Sequence, residues 1–322
     1  MTGGKVRDNA TLARRSAQRE GGWDVVGLGA NSVDFVHLLP GYPQPFGSFA
    51  KMRIEKQEIL CGGQTATAMC ACAKLGLRAK YAGVTGTDDN GRRVRRELER
   101  RGIDLADVII RDAQNQFAVI LVDETTGDRI VLWDRDDRLN LSAQDIDIRL
   151  VASARIVHVD DEDQHGAIAA ATAASEAGVI VTSDIERVNG LTMQLISAVS
   201  IPIFAQHVLP QMTGQSDPER GLRAIRGANP DKPLIATLGP AGAMMLDRDE
   251  VIHVPGFEVQ AFDTTGAGDV FRAGLIYALL NDFEPREMLA FANAAAALSC
   301  TRGGAMTGVP TLEDVKFFLS GV

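Results

Sequence analysis

Short apolar runs recur along the chain at intervals that suit an alternation of strands and helices. "WDVVGLGA" (23–30), "AKYAGVTG" (79–86), "RIVHVD" (155–160), "VIVTSD" (179–184) and "PLIATLG" (233–239) are apolar through most of their length. Such runs suit parallel strands covered on both faces. Helical stretches lie between them: "GQTATAMCACAKLG" ends at Gly76 and "QHGAIAAATAASEAG" at Gly178, each glycine suited to a left-handed C-terminal cap. The pattern predicts right-handed βαβ crossovers and an α/β fold with a doubly wound, mostly parallel sheet flanked by helices. Near the end, "PTLED" offers Thr311 as an N-cap with Asp314 three residues on.

Two regions break the alternation. "SFAKMRIEKQEIL" follows the proline-rich "PGYPQPFG", and "QFAVILVDETTGDRIVLWD" reads as a hairpin turning at Thr126-Gly127. Neither has a helix to feed a parallel sheet, so together they predict a small β-sheet lid over one end of the core. The expected organisation is an N-terminal extension (1–22), a core (23–34, 59–113 and 139–322) and a lid (35–58 and 114–138). Phe117 and Trp133 are expected to pack within the lid.

Composition narrows the classes. A chain of 322 residues, 45% hydrophobic and 23% charged, can bury a large core and reads as an ordinary globular protein. A net charge of −9 argues against nucleic acid as a partner. It leaves room for an anionic small ligand, because a few backbone N–H groups can hold a phosphate. No apolar run is long enough to span a membrane, and the polar, basic start lacks the apolar segment of a secretory signal. A cytoplasmic location is expected by default. Cys61, Cys70, Cys72 and Cys300 are too few for a disulfide framework and read as buried free thiols. The basic stretch "RRVRRELERRG" (92–102) reads as a solvated helix with Val94 and Leu98 turned inward. The five histidines show no metal-ligand spacing. "DDEDQH" (160–165) reads as acids favoured at a helix start, with Asp160 near the active end of the sheet and open to a substrate or magnesium contact.

The chemistry concentrates in "VQAFDTTGAGDVFRAGLIYALL" (259–280). A strand-like lead-in reaches Asp263, a turn of small residues follows, and an amphipathic helix is expected through Phe271, Leu275 and Leu279. The N–H groups of Gly266, Ala267 and Gly268 lack intrahelical partners, and such small residues let an anion approach the backbone. Asp269 gains from the helix dipole and is expected to stay ionised near neutral pH. It could then take a proton from a hydroxyl that attacks phosphorus. A bare "GAGD" serves equally as an acid at a helix start. Other phosphate cradles are absent: no GxxxxGK[ST] occurs, and Gly27-x-Gly29 continues to Ser32 where a dinucleotide fingerprint needs its third glycine.

"DTTGAGDVFRAGLI" resembles the C-terminal signature of the ribokinase-like (PfkB) carbohydrate kinases. The resemblance implies that Asp269 is the catalytic base and that Gly266, Ala267 and Gly268 form the anion hole. Further segments follow in the family's order over about residues 23–320. "GLGANSVDFV" resembles the opening strand, whose acid, here Asp34, binds sugar hydroxyls. "GGQTATAMCACAKLG" and "AGVTGTDDNG" resemble the N-terminal signature, with Gly62, Gly63, Gln64 and Thr67 around the sugar. "ATLGPAGAMM" implies nucleotide contacts at Thr237, Gly239 and Gly242, and "FANAAAALSCTRGGA" one at Asn293. ATP and Mg²⁺ are implied as cofactors, with a K⁺-type monovalent cation at Asp263 and Thr265. The chain departs from the pattern at Thr67, where asparagine is usual, and at Gln206 and Leu209, where an Asn-x-x-Glu segment affects magnesium and phosphate.

The "YP" turn and "RIVLWDRDD" resemble ketohexokinase and its bacterial relatives, which implies a ketose or related free sugar as acceptor. A sugar phosphate gripped by Arg135 or Arg138 comes second, and a nucleoside third. A sugar- or nucleotide-binding sensor without catalysis is the alternative from another class. Lid strands of such kinases often pair across a dimer, so a homodimer through the lid is expected.

Overall fold

The computed structural model describes residues 22–227, 229 and 232–321, so the expected extension lies almost wholly outside the described residues. The chain opens with β1 (Trp23–Leu28), β2 (Ser32–Leu39), β3 (Lys56–Gly62), α1 (Gln64–Lys74), β4 (Ala79–Tyr81), β5 (Val84–Gly86), α2 (Asp89–Arg100) and β6 (Ile109–Arg111). It continues with β7 (Phe117–Asp123), β8 (Arg129–Asp134), α3 (Ile148–Ser153), β9 (Ala154–Asp160), α4 (Gln164–Glu176), β10 (Ile180–Asp184), α5 (Thr192–Ala198) and β11 (Ile203–Phe204). The last part holds α6 (Val208–Thr213), α7 (Pro218–Arg226), β12 (Leu234–Thr237), β13 (Ala243–Asp247), β14 (Glu250–Val254), α8 (Ala267–Leu280), α9 (Pro285–Cys300) and α10 (Leu312–Ser320).

The core sheet is doubly wound. Strands β10, β9, β1 and β4 are parallel neighbours, and β11, β12, β13 and β14 form a second run. Parallel bridges Thr182↔Ile201 and Ile185↔Phe204 join the two runs between β10 and β11. Antiparallel pairing occurs only at the β12–β13–β14 edge of this sheet. Successive residues point to opposite faces. Val25 and Ile156 meet a layer of α1, α8 and α9, whereas Val26 and Val157 meet α4, α5 and α7. That double coverage explains the near-continuous apolar runs.

Local signals hold where the chemistry is local. Gly76 and Gly178 are left-handed at φ +92° and +72°, and Thr311 and Asp314 cap α10 reciprocally. Val94 and Leu98 are buried. All four cysteines are free, but Cys61 and Cys300 are only half-buried. Among the described residues no helix is long and apolar enough to cross a membrane.

Three expectations are corrected by packing. The run 79–86 is two strands: β4 pairs with β1, whereas β5 pairs with β6 in a separate two-stranded sheet. The break falls at Gly83, where any side chain would overlap the Tyr81 hydroxyl. Helix α8 is buried on nearly every face rather than amphipathic, and Gly274 lets it approach α9 with its missing Cβ only 2.9 Å from the Cα of Ala292. Trp133 is 61% exposed, because β8 is the outer strand of the lid and none of its residues is buried.

The sheet expected to be a lid runs β3-β2-β7-β8, with β2 and β7 parallel and the other pairs antiparallel. It begins at Ser32 and reaches Gly62, on both sides of the expected 35–58 stretch, and so carries Asp34 itself. Phe117 does pack inside, edge-on to Phe35 at 6.2 Å.

Candidate active site

The turn before α8 is wound tightly by its own aspartate. One oxygen of Asp263 accepts the Thr265 N–H at 2.9 Å and the Thr265 hydroxyl at 2.7 Å; the other accepts the Gly304 N–H at 2.8 Å. Gly266 then turns left-handed at φ +78°. A Cβ there would lie 2.8 Å from Ala305 Cβ and 3.3 Å from Thr67 Cγ2, so the 303–307 loop and α1 both press on this residue. Of the three amides expected to form an anion hole, Ala267 donates to the Thr264 carbonyl at 3.2 Å and is spent within the turn. The N–H groups of Gly266 and Gly268 have no acceptor among the described residues.

Asp269 sits in the first turn of α8 and keeps part of its surface open. Burial pushes its carboxyl well above the usual carboxylate range; Arg272 opposes this, Glu186 and Asp160 add to it, and Asp184 pulls back. The expectation of an ionised group near neutral pH rested on the helix dipole, worth up to about 2 kcal/mol. Desolvation works against that charge, and the carboxyl's pKa is raised rather than lowered.

The residues expected around the sugar gather where β2, β3 and the start of α1 meet. Asp34 accepts a hydrogen bond from Ser32 Oγ at 3.0 Å, and burial raises its pKa. It faces Gly62, whose absent Cβ would lie 2.9 Å from an Asp34 oxygen. Gly63 is left-handed at φ +96° and abuts the Asn31 backbone. Gln64 and Thr67 lie on the first turns of α1, and Gln64 Nε2 and Thr67 Oγ1 are buried without partners. Buried polar atoms are normally satisfied, so these two have capacity left for a further partner.

The supporting network escaped sequence reading. Asn31 Nδ2 donates to the Val84 carbonyl and the Tyr81 hydroxyl, and Asn31 Oδ1 accepts from Asn115 Nδ2. Asp160 is a tie between β9 and α1: its Oδ2 accepts the Ala30 N–H and the Thr65 hydroxyl, each at 2.7 Å, and its Oδ1 accepts the Glu162 N–H. Burial pushes its pKa up to about 7. These bonds tie Asp160 into the fold between β1, α1 and the start of the following turn. Asp161 likewise holds the Glu186 and Arg187 amides, and Asp163 binds Arg135 through both oxygens at 2.7 and 2.8 Å. Arg135 is therefore engaged, as is Arg138 with Asp136 and the Asp112 carbonyl.

Of the residues expected near a nucleotide, Thr237 ends β12 and donates to the Phe204 carbonyl at 3.3 Å. Gly239 and Gly242 follow at φ +57° and +91°. Asn293 donates to the Val254 and Pro255 carbonyls at 3.0 and 3.1 Å, fixing the segment after β14 to α9. Gln206 comes near Gly239, but Leu209 is buried in the core and brings no acid. No three potential metal-ligand side chains cluster among the described residues, so a protein cage for magnesium does not fit. The Asp263–Thr265 pair fits a monovalent cation poorly as well, because Arg129 of β8 already donates to Thr265 Oγ1 at 2.6 Å and lies 3.9 Å from Asp263. A cavity of about 420 Å³ between α2 and β3, lined partly by Arg93, Arg96 and Arg100, contains none of these groups.

Asp184, Glu186 and Arg272 were also missed. A lone arginine in the apolar run "VFRAGLIYALL" was the available signal.

Comparison with known proteins matches this geometry. Residues 41–312 fit the model of the pfkB family carbohydrate kinases. An ATP-dependent ribose-1-phosphate kinase of Halopiger xanaduensis is 34% identical over 92% of this chain and 98% of its own. A ribokinase of Haemophilus influenzae is 26% identical over 91% and 97%. The structure of Arabidopsis thaliana ribokinase with ribose and ATP superposes with a TM-score of 0.81 at 24% identity, covering 92% of this chain and 99% of that one. An aspartate beside open amides at a helix start, on this fold and with this match, places the chain in the pfkB family of carbohydrate kinases.

Proposed function

We propose that this sugar kinase transfers the γ-phosphate of ATP to a hydroxyl of a small free sugar, a ketose or a pentose. The observation that carries the reading is Asp269 set beside the open N–H groups of Gly266 and Gly268. The sugar hydroxyl gives its proton to Asp269 as its oxygen bonds to phosphorus, the bond to ADP breaks, and the two amides hold the charge on the transferred group. A carboxyl pushed upward is the better proton acceptor once ionised, and its best value lies near the working pH. Magnesium carried on the nucleotide would supply charge to neutralise the phosphates. Asp34, Gly62, Gly63, Gln64 and Thr67 surround the sugar; Thr237, Gly239, Gly242 and Asn293 border the nucleotide; the lid shuts water out.

A free sugar is favoured because Arg135 and Arg138 are both engaged. Ribose 1-phosphate is the second reading, supported by the Halopiger relative and by Arg129 at the mouth of the site. ATP consumption measured with fructose, ribose, ribose 1-phosphate and nucleosides separates them; turnover with none would overturn the kinase reading. Asp34→Ala is expected to raise the sugar KM about 10- to 100-fold, since hydrogen bonds to a charged group contribute about 1.5–3 kcal/mol. The KM for ATP should hardly move, and a parallel rise in it would remove Asp34 from the sugar site.

We also infer a homodimer through the lid. Ile130, Val131, Leu132 and Trp133 expose 41–61% of their surface on an outer strand, a liability that strand pairing removes. Light scattering should give a dimeric mass and Trp133→Glu a monomeric one; a wild-type monomer would sink the idea.

A further inference from the structure

Beneath the anion-hole turn lies a buried cation that the mechanism above does not use. Arg272 follows Asp269 by three residues on α8 and is only 1% exposed. Its Nη2 forms a close ion pair with Asp184, at the end of β10 and fully buried, and lies 3.9 Å from Glu186 Oε1. Its Nη1 occupies the space above Gly268, 2.5 Å from where a Cβ would stand. Nε has no hydrogen-bond partner among the described residues. A guanidinium is thus packed against the backbone whose amides are to receive a phosphoryl group.

We propose that Arg272 is a positioning residue of phosphoryl transfer: held by Asp184, its guanidinium lies against the Gly268 turn and supplies the positive charge that lets Asp269 work as a base. The inference rests on the kinase reading and deepens it. The charged groups facing Asp269 are Asp184 of β10, Glu186 just beyond it, Asp160 of β9 and Arg272 of its own helix, with Asp161 farther back. Three of the four nearest are acids. Arg272 alone favours the ionised base by its charge. A salt bridge kept for stability is the plainer account, yet buried ion pairs often add little net stability. An opposite charge within about 4–6 Å, by contrast, lowers a carboxyl pKa by about 1–3 units.

The test is the pH profile of kcat/KM for ATP-dependent sugar phosphorylation by the full chain. Loss of Arg272 raises the pKa of Asp269, so the base is ionised only at higher pH. Arg272→Gln should therefore move the acid limb upward by on the order of one pH unit, with the KM for ATP little changed. Asp184→Asn removes the carboxylate that holds Arg272 against the turn and pulls the Asp269 pKa down, and should move the limb upward as well. The double variant should move it no farther than the sum of the two. A merely structural pair would lower thermal stability and leave the limb in place. If Arg272→Gln does not fold, Asp184→Asn decides alone, and an unmoved limb in a folded variant overturns the proposal. A wild type without turnover overturns the kinase reading and this inference together; a wild type that turns over beside unmoved variants overturns this inference only.

Discussion

Asp269→Asn is expected to lower kcat about 10²- to 10⁴-fold, the usual contribution of a general base, while ATP still binds. Asparagine keeps the size of the side chain and its place in the first turn of α8, so the open amides of Gly266 and Gly268 stay where they are. Only the proton acceptor is lost. The substitution also removes an acid from a cluster with Asp184, Glu186 and Asp160, so no loss of folding stability should accompany it. Steady-state turnover, ATP titration calorimetry and a thermal melt separate these effects. Turnover within tenfold of wild type would take Asp269 out of the mechanism, and a collapsed melt would make the rate uninterpretable as catalysis.

Gly266→Ala should cost about 10²- to 10³-fold in kcat, the range seen on removing one preorganised oxyanion donor. The added methyl has nowhere to go. It would lie 2.9 Å from the Cα and 2.8 Å from the Cβ of Ala305, and the residue would hold φ near +78°, where alanine is strained. Backbone strain of this kind costs about 1–3 kcal/mol, so a lower melting temperature is expected too. The turn relieves the strain by rotating its amides, which misdirects them. Gly268→Ala meets only the end of the Arg272 side chain, which can yield, so the milder rate loss is expected there. An unchanged kcat in Gly266→Ala would mean that this amide takes no part in charge capture.

What could be read from the chain alone was whatever depends on neighbours in sequence. The glycine caps at Gly76 and Gly178, the reciprocal cap at Thr311 and the tight turn from Asp263 to Asp269 are settled within a few residues, and the apolar runs already implied strands covered on both faces. The relation between residues remote in sequence had to come from folding. Residues 79–86 divide between two sheets because the Tyr81 hydroxyl bonds back to Gly29, and the acids after β9 become ties because Ala30, Thr65 and Arg135 are brought to them. The raised pKa of Asp269 belongs to the same class: the dipole of its own helix favours charge, whereas desolvation beside Glu186 and Asp160 disfavours it. Partnership across strands, desolvation and the spending of one turn amide are consequences of packing, and no window of sequence contains them.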